Sequence, residues 1–392
     1  MDLLKKLFIF VLFLFPLGEI IRIDFGNGAV IKPLDIGIVV LVLLWLVFKF
    51  IQKQKIKQTN ILIPVALFVL SGLFSLIISN LHLSLNEFLI SFSYMLRWVA
   101  YAGVFFVVCD FDKDFKKKIS KLLIIVGSII VVLGYLQYFF YSSLKNLFYS
   151  GWDEHMYRMF SVFLDPNFAG AFFVLFFLFL TNLFFKKKNK FIGLLILLTL
   201  GAIFLTFSRS ALIMLSVSSS LLFIFMNKKI WIGLLLGITL LVLVISSRYF
   251  NVENINLFRI VSTEARIETS RNAIKIIQDH PIFGVGFNAY RYAQLNYGFR
   301  QDKAKVVSHA DSGADNSILF ILATTGIVGF LFYSFLWIRI LKNYNVLVVA
   351  SVIGVLIDSL FVNSLFYTYI MFWLWVIIGL SFSTSSEFKE NK

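Results

Sequence analysis

A single cysteine, Cys109, leaves the chain without a partner for an intramolecular disulfide and without a thiolate cluster for zinc. Histidine is also scarce: His82, His155, His280 and His309 are scattered, and none is paired with another at the spacing a metal site uses. Neither a structural metal nor a cofactor is expected. Charge is the third shortage. Only 15% of the residues are charged while 59% are hydrophobic, and a mean hydropathy of +0.88 implies more apolar surface than a water-soluble fold of this size can bury. Apolar runs of about 20 residues, each able to cross a hydrocarbon layer roughly 30 Å thick, recur along nearly the whole sequence. A soluble domain on one anchor is therefore excluded too, and the fold class is an all-α polytopic membrane protein. Met1–Pro16, with Lys5 and Lys6 ahead of an apolar run, resembles a signal peptide, but no small-x-small cleavage site follows before Arg22. It is read as the first transmembrane helix.

Hydropathy places twelve spans near 7–20, 34–51, 60–79, 86–109, 121–141, 165–185, 191–207, 210–226, 231–247, 316–338, 345–361 and 364–382. With a cytoplasmic N-terminus, the short connections carrying Lys49 to Lys57, Lys113 to Lys121, Lys186 to Lys190, Lys228 with Lys229, and Arg339 with Lys342 all fall inside, as the positive-inside rule requires. Arginine is distributed differently. The inside set holds 21 basic residues, of which only Arg339 is arginine; the outside set holds 14, of which nine are arginine. Orientation explains the lysines but not the external arginines, whose planar fork binds phosphate or carboxylate bidentately. The external face thus reads as built for an anion. Half of the net charge of +15 is accounted for by the positive-inside rule, so no nucleic-acid partner is expected.

One connection stands apart by length. Residues 1–247 hold spans one to nine, 248–315 form a long external loop, 316–382 hold the last three spans, and 383–392 make a cytoplasmic tail. A loop of that size is expected to be folded and to carry function. Within it Ser262-Thr263-Glu264 can cap an amphipathic helix near 264–278, stopped by Asp279-His280-Pro281. Ile267, Ser270, Ile274 and Ile277 form its apolar stripe, with Arg266 at the border and Arg271 on the polar side. The plain reading of Arg266 is a snorkelling surface arginine.

Arg209 is the only charge in a long apolar stretch, within Thr206-Phe207-Ser208-Arg209-Ser210-Ala211 at the external turn between two spans. A membrane arginine so placed is a functional candidate, with snorkelling from a tight hairpin as the alternative. The loop ends in Ser308-His309-Ala310-Asp311-Ser312-Gly313-Ala314-Asp315-Asn316-Ser317 and runs into the tenth span. If Asp315 is helical it projects with Leu319, Leu322 and Gly326 at the external mouth of the bundle. Asp311 and Asp315 also suit a helix start. Asp165-Pro166-Asn167 reads as a cap, and Arg97 and Asp358, inside spans, each require a polar partner or an aqueous cavity.

These pieces resemble the O-antigen ligase and O-antigen polymerase superfamily of bacterial envelope polysaccharide assembly. Members have about twelve spans in a GT-C-like arrangement, a long periplasmic-side loop before the last three, a Ser-Arg turn, and an arginine-led loop helix ending in Pro-x-x-Gly-x-Gly. Here those are Ser208-Arg209, Arg266 and Pro281-Ile282-Phe283-Gly284-Val285-Gly286. The ligase signature, histidine then Asn, Ser or Gln, nine residues and Gly-x-x-Gly, is matched in spacing by Asp315-Asn316 and Gly326-Ile327-Val328-Gly329. It is not matched at the histidine. The resemblance implies that Arg209 and Arg266 hold the diphosphate of a polyprenyl-linked oligosaccharide donor and that Asp315, or His309 near it, is the catalytic base, with Asn316 and Arg271 in support. It implies a metal-independent transfer to a glycan or lipid acceptor at the external face of the bacterial plasma (inner) membrane, both termini being cytoplasmic. A flippase and a chain-length regulator are the further partners implied. The missing histidine favours a polymerase, with a ligase as the alternative. A transporter is the rival from another class, since twelve spans also suit secondary carriers.

Overall fold

The structure, a computed structural model, describes the chain except for residues 27, 58, 250–254, 258–260, 301–312 and 383–392. The C-terminal tail and His309 therefore lie outside the described residues. The chain runs through α1 (Asp2–Leu14), a two-stranded antiparallel hairpin of β1 (Ile23–Asp24) and β2 (Val30–Ile31) in which Ile23 pairs with Ile31, then α2 (Pro33–Ile51), α3 (Leu62–Ile77), α4 (Leu85–Asp110) and α5 (Lys113–Phe140). It continues through α6 (Pro166–Lys187), α7 (Lys190–Leu205), α8 (Arg209–Phe225) and α9 (Ile230–Tyr249). Then come α10 (Val261–Asp279), α11 (Tyr290–Asn296), α12 (Ser317–Asn343), α13 (Val346–Asp358) and α14 (Thr368–Ser381).

Twelve of these helices lie on the twelve apolar segments, but their lengths divide them. α2, α4, α5, α6 and α12 are long and apolar enough to cross a membrane, while α3, α7, α8, α13 and α14 have 10–17 residues. The protein is thus a polytopic helical membrane protein. α13 has 13 residues, about 20 Å at 1.5 Å per residue, and it stops at Asp358 although the apolar segment runs to 361. The cause is local: Asp358 accepts a hydrogen bond from Ser364, and Ser359 O accepts from the Ser317 amide at 2.8 Å. The chain between α13 and α14 is thereby folded back against the start of α12.

Polar residues in the interhelical turns act as caps. Ser84 and Glu87 form a reciprocal capping box on α4, Asp112 caps α5, Asp165 caps α6, Asn189 caps α7, Ser208 caps α8 and Asn345 caps α13. Each cap satisfies amides that have no intrahelical partner and is worth about 1 kcal/mol. The innermost layer is aromatic: α6 buries Phe172, Phe173 and Phe176, and Phe172 meets Trp373 of α14 edge-on at 5.2 Å. Large apolar side chains also remain exposed around the bundle, among them Phe50, Ile63, Phe140 and Leu197. For a helix bundle in lipid that is the expected exterior, since acyl chains are as apolar as the core.

Candidate active site

The turn between α7 and α8 is built to present Arg209. Its carbonyls point inward, and buried Arg158 donates from Nε to Thr206 O at 2.8 Å and from Nη2 to Phe207 O at 3.4 Å. Ser208 Oγ lies 3.0 Å from Asn167 Oδ1 and accepts from the Ala211 amide. With Phe207 in a left-handed conformation at φ 48°, the chain reverses sharply and Arg209 becomes the first residue of α8. Its Nη1 donates to Thr263 Oγ1 in α10 at 3.1 Å. The sequence offered Arg158 only as one more external arginine, and nothing local marked it as the residue that holds this turn.

α10 starts at Val261, ahead of the expected 264, and its inward face differs from the stripe read in the sequence. Ala273 and Ile276 are fully buried, whereas Ile267 and Ile274 are 48% and 45% exposed. Ala273 and Ile276 join a small core with Val285, Tyr290, Ala293, Phe320 and Ala323, which fixes α10 and α11 to the N-terminal half of α12. Ile267 and Ile274 instead line an open groove. The discrepancy has a physical cause: α10 carries apolar residues on two faces, one packed in the core and one lining the groove, so two stripes compete in the pattern.

Two sequence motifs separated by some forty residues are locked together here. α12 is interrupted at Gly326, which adopts φ 62°. The freed backbone pairs with the segment after α10: Val285 N donates to Ala323 O at 2.9 Å, Gly286 N to Thr324 O at 3.0 Å, and Ile327 N to Pro281 O at 2.9 Å. Ser75 of α3 caps the junction, donating to Phe283 O at 2.5 Å and lying 2.7 Å from Thr324 O. A Cβ on Gly284 would lie 2.4 Å from Thr324 C, and one on Gly326 2.2 Å from Ile282 O. Both glycines are thus required by close backbone contact as well as by positive φ.

Asp315 stands just before α12 and outside the helix. Asn316 is the cap, accepting from the amides of Ile318 at 2.8 Å and Leu319 at 3.1 Å while donating to Leu360 O at 3.0 Å. The helical stripe expected for Asp315 is therefore replaced: a short amide at the cap wins the free amides, and the carboxylate turns toward α10, where Thr269 Oγ1 lies 3.4 Å from Oδ2. Asp358 is fully buried beneath, near Ser210 and Arg266. In α11 burial pushes the Tyr290 phenol up to about 12, with the nearby Asp315 charge adding to that effect, so the phenol stays protonated at neutral pH.

Arg209, Arg266, Arg271 and Asp315 line one groove of about 510 Å³ whose other walls are Ile213, Ile267, Ile274, Leu360 and Phe361. Arg209 and Arg266 are close enough for their charges to repel. Arg266 and Asp315 also line a second, polar cavity of about 710 Å³ that runs inward beneath the hairpin. There the cations Arg22 and Lys32 both pair with Glu19, and Arg97 of α4 sits 3.3 Å from Asp35 and donates to Val30 O. Arg97 thus has a buried carboxylate partner. Among the described residues no group of three or more His, Cys, Asp or Glu is placed to hold a metal ion.

The structure thus brings two arginines and a carboxylate together in one groove with apolar walls, at one end of the helical bundle. Residues 194–334 match the family described as O-antigen ligase. That stretch contains Arg209, Arg266, the Pro281–Gly286 segment and Asp315 through Gly329, and the match bears out the likeness to the O-antigen ligase and polymerase superfamily read from the sequence. The chain is a multi-pass helical membrane protein whose residues 194–334 are similar to that family. No curated protein matches the chain.

Proposed function

We propose that the protein is a metal-independent glycosyltransferase of twelve-span, GT-C-like architecture that joins polyprenyl-diphosphate-linked oligosaccharide units at the external face of the bacterial plasma membrane. The observation that carries this reading is the convergence of Arg209, Arg266 and Asp315, from three elements, on one groove with apolar walls. Arginine forks match diphosphate oxygens, and Ile213, Ile267, Ile274 and Phe361 suit the first isoprene units of the carrier. The cavity that shares Arg266 and Asp315 suits the glycan.

In this scheme the acceptor hydroxyl attacks the anomeric carbon, the bond from that carbon to the diphosphate oxygen breaks, and polyprenyl diphosphate leaves. Arg209 and Arg266 stabilise the negative charge that grows on the leaving oxygen, where preorganised donors have most effect. Asp315 takes the hydroxyl proton. Both substrates being held in one site supplies much of the acceleration, and a positioned base contributes a further factor of about 10²–10⁴.

A polymerase is favoured by the carboxylate standing where the ligase signature has histidine. The ligase reading, transfer of a finished glycan to lipid, protein or another acceptor, is favoured by the description of the matching family. Incubating purified protein with one lipid-linked repeat unit, without divalent metal, separates them. A ladder of lengthening lipid-linked glycan is expected; a single transfer that appears only when a second acceptor is added supports the ligase, and no transfer to any acceptor removes the proposal in favour of a transporter.

A further inference from the structure

Off the polar cavity, between the β1–β2 hairpin, α4, α11 and the chain ahead of α14, lies a smaller chamber of about 160 Å³. Its walls include Tyr94, Arg97, Asn288, Arg291 and Asn363. Arg97 is neutralised by Asp35. Arg291 has no ion-pair partner among the described residues, and its guanidinium packs so closely on Gly28 that a Cβ there would lie 2.4 Å from Nη1. Burial and the like charge of Arg300 hold Arg291 below the ordinary arginine value; Tyr94, Tyr292 and Asp24 act the other way, but Asp24 is already 3.3 Å from Arg22. In the same chamber Asn363 Oδ1 is buried without a hydrogen-bond partner among the described residues. A half-buried cation and a buried acceptor, both left unmatched around one space, are costly unless something fills it.

We propose that Arg291 and Asn363 form a second recognition site, one that takes the carboxylate of an acidic sugar in the transferred glycan. This rests on the glycan-transfer reading of the neighbouring groove. Arg97, Arg291, Tyr94 and Asn363 line both the chamber and the polar cavity, so a glycan whose diphosphate lies at Arg266 can run through the cavity and reach them. The guanidinium fork accepts a carboxylate edge-on, and Asn363 Oδ1 takes a ring hydroxyl as donor. The chamber has room for a group of sugar-ring size. Specificity follows from the buried groups: a neutral sugar leaves Arg291 unpaired.

The test titrates the full chain in nanodiscs with methyl glucuronoside, its methyl ester, inorganic phosphate and pyrophosphate, read by ligand-observed NMR. Wild-type protein is expected to bind the acid at least about tenfold more tightly than the ester, the range a charge-assisted hydrogen bond supplies. Arg291→Gln should erase that preference and Arg209→Ala should keep it. Pyrophosphate binding should show the converse pattern, which reports on the groove separately and confirms that each variant is folded. Equal binding of acid and ester by wild type, or an unchanged preference in Arg291→Gln, overturns the proposal. So does phosphate that binds through Arg291 more tightly than the uronate, which would make this a phosphate site.

Discussion

Gly284→Ala perturbs the junction between the loop and α12 without touching any charged group of the groove. Its cost has two parts. Gly284 is at φ +69°, where a residue with a Cβ is disfavoured by about 1–2 kcal/mol. The new Cβ would also sit 2.4 Å from Thr324 C, 2.6 Å from Thr324 O and 2.6 Å from Thr325 N, all backbone atoms that cannot swing aside. Relief requires the loop to withdraw, which breaks the bonds from Val285 N to Ala323 O and from Gly286 N to Thr324 O at roughly 1 kcal/mol each. The expected loss is about 3–4 kcal/mol. Gly298→Ala is the control: φ is also +69°, but nothing lies within 4 Å of its Cβ position, so only the backbone term of about 1–2 kcal/mol applies. Unfolding of the two purified variants in mixed micelles, followed by tryptophan fluorescence against detergent composition, measures the difference. Equal losses would refute the claim that this junction is held by direct backbone contact.

Arg158→Ala is expected to lower donor affinity about 10- to 100-fold with the protein still membrane-inserted, because the carbonyls of Thr206 and Phe207 lose the fork that fixes the Arg209 turn; Arg158→Lys should restore little of it. Donor binding by equilibrium dialysis checks this, and full rescue by lysine would show that charge alone suffices. Asp315→Asn should reduce single-turnover rate by about 10²–10⁴ while leaving donor affinity within a few-fold; an unchanged rate would remove Asp315 as the base. Asp35→Ala leaves Arg97 buried beside no carboxylate and should destabilise the protein by about 3–5 kcal/mol, seen as a lowered midpoint in the same unfolding assay. A loss within error would mean that water replaces the carboxylate.

The parts of the fold that hydropathy governs were legible in the sequence. Each apolar segment became a helix because a peptide in hydrocarbon must satisfy its own backbone, and Asp165-Pro166-Asn167, read as a cap, starts α6 as capping chemistry predicts. Arg209 was legible for a related reason, being the lone charge in an apolar stretch. What could not be read was whatever depends on distant backbone. The break at Gly326 exists because Pro281 O and Ala323 O find partners across the junction, and no local pattern around Gly326 specifies that. Arg158 acts on carbonyls, which every residue has, so its partners left no trace in composition. The inward face of α10 was misread because Ile267 and Ile274 serve the groove rather than the core. Asp315 was placed on a helix whose first turn Asn316 captures instead.

The most direct test of the account is the binding of radiolabelled polyprenyl diphosphate, without glycan, to wild-type protein and to Arg209→Ala and Arg266→Ala variants in nanodiscs of neutral lipid. Two arginine forks on one diphosphate, at about 1.5–3 kcal/mol for each charged hydrogen bond, predict a loss of at least tenfold in each single variant. They also predict that Arg271→Ala, at the exposed edge of the groove, loses less. Binding that is unchanged in both Arg209→Ala and Arg266→Ala would contradict the assignment of this groove to the donor.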